Sequence, residues 1–202
     1  MSKYLITPTL LNSFAYYTQD NEYKSEAEQR QEFLQTLSRV KSEPNEAMRL
    51  GLAFEDTLKA YSQGMIDDSN GIYKKYYPEL SKIVKGGLWQ QVVKKDIVVG
   101  TQEFLLYGKC DVIKAGTIYD IKFTSNYELG KFFNSSQHLI YLYCSGLPKF
   151  QYLICDGKDY WVEDYYNNED TEDNIKIKIS EFIAYLENDL EAKNLFYDKW
   201  KN

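Results

Sequence analysis

Phe104-Leu-Leu-Tyr-Gly-Lys-Cys-Asp-Val-Ile-Lys-Ala-Gly-Thr-Ile-Tyr-Asp-Ile-Lys-Phe123 reads as two antiparallel strands joined by a tight turn. β-branched and aromatic residues dominate both arms. Gly116 supplies the positive φ that a two-residue hairpin loop needs. With Ala115-Gly116 as that loop, Lys114 pairs with Thr117, and counting back along the ladder sets Asp111 opposite Asp120. Opposed residues point to one face with their Cβ atoms roughly 5 Å apart. The strand period of two puts Lys122 on the same face, beside Asp120. Facing carboxylates repel each other, and a divalent cation with a taste for hard oxygen ligands, Mg²⁺ or Mn²⁺, removes that penalty. A lysine two residues along can hold or deprotonate a metal-bound water, or steady charge developing on a phosphate. The same residues also suit a solvated polar face on which Lys122 pairs with one aspartate, because surface ion pairs are common and weak. The hairpin alone leaves both readings open.

Two helices flank it. Glu46 to Tyr61 carries Met48, Leu52, Leu58 and Tyr61 at helical spacing, with Ala47 and Phe54 beside them. Glu55 lies inside this helix, four residues after Gly51. A glycine in a helix interior costs about 1 kcal/mol relative to alanine, so it points to close approach by another group. Downstream, Ser135 to Gly146 reads as a second helix with Pro148 just beyond. In it Gln137 and Tyr141 are four apart and share a face.

In order along the chain, Gly51-x3-Glu55, Gly108-x2-Asp111, Asp120-x-Lys122 and Gln137-x3-Tyr141 resemble the PD-(D/E)XK nucleases, and within them the RecB-like and phage-exonuclease branch, whose domains carry a Gln-x3-Tyr helix after the Asp-x-Lys strand. Thr7-Pro-Thr-Leu-Leu-Asn-Ser-Phe14 resembles the Ser-x-Ser-x-Leu-x-x-Phe opening of RecB-like domains. The likeness runs from about Thr7 to Trp161. Asp-x-Lys by itself is a weak signal; four blocks in the right order, each on the expected kind of element, are a strong one. Many RecB-like nucleases have histidine at the place of Glu55; a carboxylate there is closer to the lambda-type exonucleases and suits a hard cation. Some relatives bind an iron–sulfur cluster through four cysteines. Here there are three, Cys110, Cys144 and Cys155, and Tyr16-Tyr17 stands where the first would be, so no four-thiolate cluster is expected within one chain.

The resemblance implies a restriction-endonuclease-like α/β (α+β) core: a central mixed sheet flanked by helices in the order αβββαβ, with extra helices at both ends and one domain over residues 1–202. It implies one or two Mg²⁺ or Mn²⁺ ions held by Asp111, Asp120 and Glu55, with the Ile121 carbonyl completing the shell. Lys122 would orient or deprotonate the attacking water, as a base only if its surroundings pull its pKa well down. Gln137 and Tyr141 would hold Lys122 or the substrate phosphate.

Composition agrees with this. At 202 residues and 44% hydrophobic content the chain can bury one good core. No apolar run approaches the ~20 residues of a membrane span, the N-terminus lacks the basic and apolar regions of a signal peptide, and three unpatterned cysteines suit the cytoplasm. The net charge of −6 sits poorly with a protein that coats nucleic acid. Much of it, however, comes from the candidate site and the acidic run from Glu163 to Asp173. Basic clusters remain at Lys74-Lys75, Lys82 and Lys85, Lys94-Lys95, and Lys109 with Lys122 and Lys131. His138, the only histidine, excludes a histidine-rich zinc site and reads as a surface or packing residue. Of the 19 tyrosines, most read as half-buried packing residues and some as surfaces for stacking bases.

The remaining elements follow from local signals. Thr7 or Thr9 caps a first helix to about Tyr17. Ser25 to Val40 is a polar helix at the periphery, and the motif helix starts at about Pro44. Asp67 to Gly71 is a loop, Pro78 to Lys85 a short helix, Gly86-Gly87 a break, and Gln90 to Val99 the first strand. Lys149 to Cys155 and Asp159 to Glu163 pair around Asp156-Gly157. Thr171 to Leu190 closes the chain's pattern with a helix burying Ile175, Ile179, Phe182, Ile183, Leu186 and Leu190.

Three functions fit: an exonuclease on linear duplex or single-stranded DNA in phage or mobile-element recombination or repair, a structure- or sequence-specific endonuclease with the same site, and a catalytically silent DNA-end or protein-binding module. The intact Glu55, Asp111, Asp120 and Lys122 set favours an enzyme, and the Gln-x3-Tyr block favours the exonuclease by analogy. RNA as substrate, a recombinase or helicase partner, and a homo-oligomer that closes the substrate channel all stay open.

Overall fold

Two apolar cores, one on each face of a single sheet, account for the order of elements. The computed structural model describes residues 3–19, 24–41, 43–66 and 75–202. Its six strands are β1 (Tyr4–Ile6), β2 (Leu88–Val99), β3 (Gln102–Lys114), β4 (Thr117–Phe123), β5 (Lys149–Cys155) and β6 (Tyr160–Tyr166). Its seven helices among the described residues are α1 (Pro8–Tyr17), α2 (Glu26–Leu37), α3 (Glu46–Ser62), α4 (Tyr77–Val84), α5 (Ser136–Ser145), α6 (Thr171–Leu186) and α7 (Leu190–Lys199). The sheet is mixed: β4 and β5 run parallel, as do β1 and β3, and the remaining neighbours are antiparallel. β2 lies along one side of β3, and β6 ends the sheet beyond β5. The chain is thus an α/β protein with a six-stranded mixed sheet between helices.

The larger core joins α1, α2, α5, α6 and α7 to one face, with Leu10, Phe33, Leu106, Ile118, Phe150 and Phe182 at its centre. On the other face α3 and α4 press Phe54, Leu58, Leu80 and Val84 onto Val112, Ile121 and Leu153. Parallel strands must be joined by a crossover, and α5 is the connection between β4 and β5.

Local signals explain most boundaries. The Thr7 hydroxyl accepts the Leu10 N–H and Pro8 occupies the first turn, which starts α1. Ser25 and Glu28 form a capping box at α2. The hairpin loop is Ala115-Gly116, both at positive φ, and Lys114 pairs with Thr117 as the sequence implies. Gly146 ends α5 in the left-handed conformation.

Several expectations need correction. The expected helix from Thr171 to Leu190 ends at Leu186, and Leu190, assigned to its apolar stripe, is exposed at the start of α7. Asp189 causes the break: its carboxylate accepts the Ala192 N–H as an N-cap, and it also takes Arg30 and the Tyr185 hydroxyl. α2 is not peripheral, because Phe33 and Leu37 are fully buried and Phe33 stacks on Tyr17. On α3 the buried apolar residues are Phe54 and Leu58, whereas Met48 and Leu52 are exposed. β1 and α7 carry no strong sequence signal: three residues are too few for strand alternation to register. The expected loop from Asp67 to Gly71 lies outside the described residues.

Candidate active site in a fork of the sheet

One edge of β3 is shared between two strands. β1 pairs with Phe104 to Leu106, and β4 pairs with Val112 to Lys114. Between these stretches the strands part and leave a fork. The face pattern of β3 slips there too: Cys110 packs in the larger core, but Val112, two residues on, packs in the other. Across from Asp111 on β2 stands Gln90, at φ 57°, and the β2–β3 register passes from Trp89–Val112 to Gln91–Cys110 without that pair.

The slip corrects one expectation. Asp111 and Asp120 are not a directly opposed ladder pair, because the β3–β4 pairing ends at Val112–Tyr119. Instead the Asp111 side chain spans the fork and its Oδ2 accepts the Ile121 N–H at 2.8 Å. The N–H and C=O of an extended residue leave by the same edge, so the Ile121 carbonyl also faces the fork. Asp120 is 1% exposed. Lys122 Nζ stands 2.5 Å from Asp120 Oδ2 as an ion pair, without the alignment of a hydrogen bond.

Helix α5 fills the fork from the larger core. Gln137 Nε2 donates to Asp120 Oδ1. It also reaches Tyr141 Oη at 3.4 Å, and that hydroxyl donates to the Lys109 carbonyl at 3.0 Å. Gln137 and Tyr141 therefore share a face, as their spacing implies, but they hold Asp120 and the β3 backbone rather than Lys122. The glycine of Gly108-x2-Asp111 has a steric cause: a Cβ there would lie 2.1 Å from Tyr141 Cε1. The start of α5 is pinned by Asn12, whose Oδ1 accepts the Ser136 N–H at 2.7 Å and whose Nδ2 donates to the Ser135 hydroxyl at 3.1 Å.

Helix α3 closes the other side. Glu55 Oε1 accepts from Gln90 Nε2 at 2.6 Å. A cleft of about 570 Å³ opens beside it, bordered by Met48, Gly51, Leu52, Ile121, Lys122 and Phe123. Gly51 is not explained by a close neighbour, since nothing lies within 4 Å of where its Cβ would be. It lowers the wall of the cleft instead.

The electrostatics are one-sided. Burial, then the Asp120 and Glu55 charges, pushes the Asp111 carboxyl up to about 8, against the Ile121 N–H and Lys122. Burial raises Asp120 against the pull of Lys122, and burial followed by Asp120 raises Glu55. For Lys122 burial acts to lower the pKa, but Asp120 outweighs it and the net direction is upward. Lys122 is thus a cation here, not a base. Three carboxyl groups share one ammonium, and at neutral pH the raised Asp111 carboxyl holds a proton in place of a second cation.

Among the described residues no three histidine, cysteine, aspartate or glutamate side chains stand grouped as a ready ion cage. Each carboxylate is already engaged, Asp111 by Ile121, Asp120 by Lys122 and Gln137, and Glu55 by Gln90. In kind the donors suit a hard cation: all are oxygens, and the buried Asp120 Oδ2 is faced by the Lys122 ammonium alone. Asn12 and Gln90 are the contributors that the sequence reading missed. Asn12 lies in the opening motif stretch; Gln90 has no signal beyond facing Asp111 across the hairpin.

The other singled-out residues sit apart. His138 is buried and stacks on Tyr165, with ring centroids 4.0 Å apart. The three cysteines are free, on β3, α5 and β5. The basic pair Lys94-Lys95 lies on β2, where Lys95 sits 3.8 Å from the Tyr143 ring centre. No described helix is long and apolar enough to cross a membrane.

The sequence matches no family model and no curated protein. Among solved structures, one described as the crystal structure of SSO0001 superimposes with a TM-score of 0.55 at 15% identity, over 89% of this chain and 77% of that chain. At that identity the likeness concerns the fold alone.

Proposed function

We propose that the chain is a metal-dependent deoxyribonuclease of the PD-(D/E)XK type, in its RecB-like branch, acting as an exonuclease on linear DNA. The observation that carries this reading is the convergence of four separated blocks on one fork. Glu55, Asp111, Asp120 with Lys122, and Gln137 with Tyr141 come from α3, β3, β4 and α5 and crowd three carboxyl groups around one ammonium. The elements run α3-α4-β2-β3-β4-α5-β5, and apart from the inserted α4 this order supports the αβββαβ core that the resemblance implies.

Asp111 and Asp120 would hold Mg²⁺ or Mn²⁺, with Glu55 reaching in from α3 and the Ile121 carbonyl facing the same space. A bound divalent ion supplies an acidified water and neutralises charge on the phosphate. The chain's own groups do the rest. Lys122, protonated, places positive charge beside the scissile phosphate and orients the incoming water. Gln137 fixes the rotamer of Asp120 through its amide. Tyr141 ties α5 to the β3 backbone across Gly108 and so fixes where Gln137 stands. Burial of Asp120 excludes competing water from its carboxylate.

End-labelled linear duplex and single-stranded DNA, with closed and nicked circles, are to be incubated with Mg²⁺, Mn²⁺ or EDTA. We expect metal-dependent loss of linear substrate, abolished by Lys122→Ala, with closed circles intact. Cleavage of closed circles would replace the exonuclease by an endonuclease with the same site. No cleavage by folded, metal-loaded protein would overturn the enzyme reading in favour of a DNA-end-binding module.

A further inference from the structure

Away from the fork, the far edge of the sheet borders a second concavity. β6 ends the strand order and pairs only with β5 among the described strands. A groove of about 860 Å³ runs between β6, the 124–135 connection and α6. Five consecutive β6 residues, Val162 to Tyr166, line it. Successive strand residues point to opposite faces, so the groove follows the strand's open edge rather than one face of the sheet. Its walls are apolar and exposed: Leu129 and Phe133 from the connection, Ile177 from α6, and Tyr166. His138 also borders it; this side chain is 5% exposed, and its Nδ1 is buried without a partner.

The charge of this end selects the occupant. From Glu163 to Asp173 the chain carries Glu163, Asp164, Glu169, Asp170, Glu172 and Asp173 with no lysine or arginine between them. Lys149 pairs with Asp164, Lys176 pairs with Glu172 and Asp173, and Lys178 and Glu181 of α6 both line the groove. Glu163 is held by hydroxyl and N–H donors alone. The acidic excess is carried by Glu169 and Asp170, between the lining residues Asn168 and Thr171. Nucleic acid would be repelled here, because phosphate binding needs cations. A second copy of the chain would bring the same acidic run against this one in a two-fold contact. The free edge is also less guarded than the opposite one: β2 presents Lys94, Lys95 and Asp96, whereas β6 has no lysine, arginine or proline and its only charges are the buried Glu163 and the Lys149-paired Asp164.

We infer that the β6 groove docks an extended segment of a partner protein, with apolar side chains at alternate positions and lysine or arginine at its ends, which adds to the sheet beyond β6. Main-chain hydrogen bonds to β6 give affinity, and the Leu129–Phe133–Ile177 wall selects alternate apolar side chains. This inference does not rest on the nuclease reading.

The test uses the full chain and a fluorescein-labelled probe peptide, Lys-Val-Thr-Phe-Thr-Val-Lys, with a twin carrying glutamate at both ends. Fluorescence anisotropy reads affinity, and amide hydrogen exchange locates the contact. We expect the lysine peptide to bind at least tenfold tighter than its twin and to protect the Tyr160–Tyr166 amides. Ile177→Glu, an exposed position, and separately Phe133→Ser should each weaken binding at least tenfold. Equal affinity for the two peptides, binding unchanged in both variants, protection confined to α3 and its cleft, or no binding up to about 1 mM would each overturn the inference. So would a dimer in sedimentation that Ile177→Glu dissolves, which would give the groove to a second copy.

Discussion

Asp120 and Glu163 are both buried carboxylates on strands of the same sheet, 1% and 7% exposed, yet their surroundings treat them oppositely. Glu163 is satisfied from within the chain. Tyr127 and Gly130 donate to Oε1 and Tyr165 donates to Oε2, so every donor is neutral and the connection from β4 to α5 is fastened by one side chain. Asp120 has one amide donor, an ammonium that is not aligned as a hydrogen bond, and two further carboxyl groups in electrostatic reach. A buried charge costs free energy unless paired and hydrogen-bonded. Where the chain supplies the partners the carboxylate is part of the architecture. Where it leaves them incomplete, the site favours a ligand that brings positive charge.

The sharpest way to break this comparison is to remove each charge. Glu163→Ala strands three donors and should lower stability by about 3 kcal/mol in urea unfolding. Asp120→Asn without metal should change stability by no more than about 1 kcal/mol, because it removes a buried charge and keeps the Gln137 contact, while the part-exposed Lys122 ammonium that loses its partner still has Asp111 and Glu55 nearby. Calorimetry should at the same time show Mn²⁺ binding lost in Asp120→Asn and kept in Glu163→Ala. Equal destabilisation by the two substitutions would erase the distinction.

A smaller effect sharpens the link between α5 and the fork. Gly108→Ala drives a methyl group into the Tyr141 ring and should cost about 2–3 kcal/mol. The double variant Gly108→Ala, Tyr141→Leu should recover much of that loss, and no recovery would mean that Gly108 serves some other purpose.

The smallest effect is a pH response on the Glu163 side. Burial, with Lys178 adding to it, holds the His138 imidazole down at about 4. Tyr165, Phe150 and Tyr152 are the rings around it. Because the folded pKa lies below the free value near 6.5, the unfolded chain takes up the proton first as pH falls. The His138 share of stability is therefore lost below about pH 6.5 and levels off near pH 4, about 2 kcal/mol between pH 7 and pH 5. The raised Asp111 carboxyl works in the opposite direction over the same range, so the effect is read as a difference: between pH 7 and pH 5 urea unfolding should show the wild type losing about 2 kcal/mol relative to His138→Phe.

The sequence made the hairpin legible because its turn and its residue types agree, and it made α5 legible because a serine cap, a helical spacing and a terminal glycine all coincide. The residues that meet at the fork were readable as blocks. Their contacts were not: the slip at Gln90 and Asp111 breaks the period of two on which the register count relied. The partners of Gln137 and the clamp by Asn12 depend on helix packing, which leaves no local signature. Met48 and Leu52 misled for a related reason. Apolar residues at helical spacing mark a core face only when something covers them, and here they border an open cleft. The end of α6 was missed because Asp189 reads as another polar position until its capping bond and its link to Arg30 are seen.

The divided edge of β3 has a consequence in time. Its β4 half belongs to a hairpin whose Val112 and Tyr119 are close neighbours along the chain, whereas its β1 half joins Tyr4 to Phe104. Bringing ends about 100 residues apart together costs about 2 kcal/mol more chain entropy than closing the hairpin. The strands bearing Asp111, Asp120 and Lys122 can thus pair early from local contacts alone. The pairing that seats α1 must wait for about half of the chain. Asp120, Lys122 and the nearby Gln137 are thus within reach of local folding, whereas the Asn12 clamp that pins the start of α5 depends on a contact 124 residues apart in sequence.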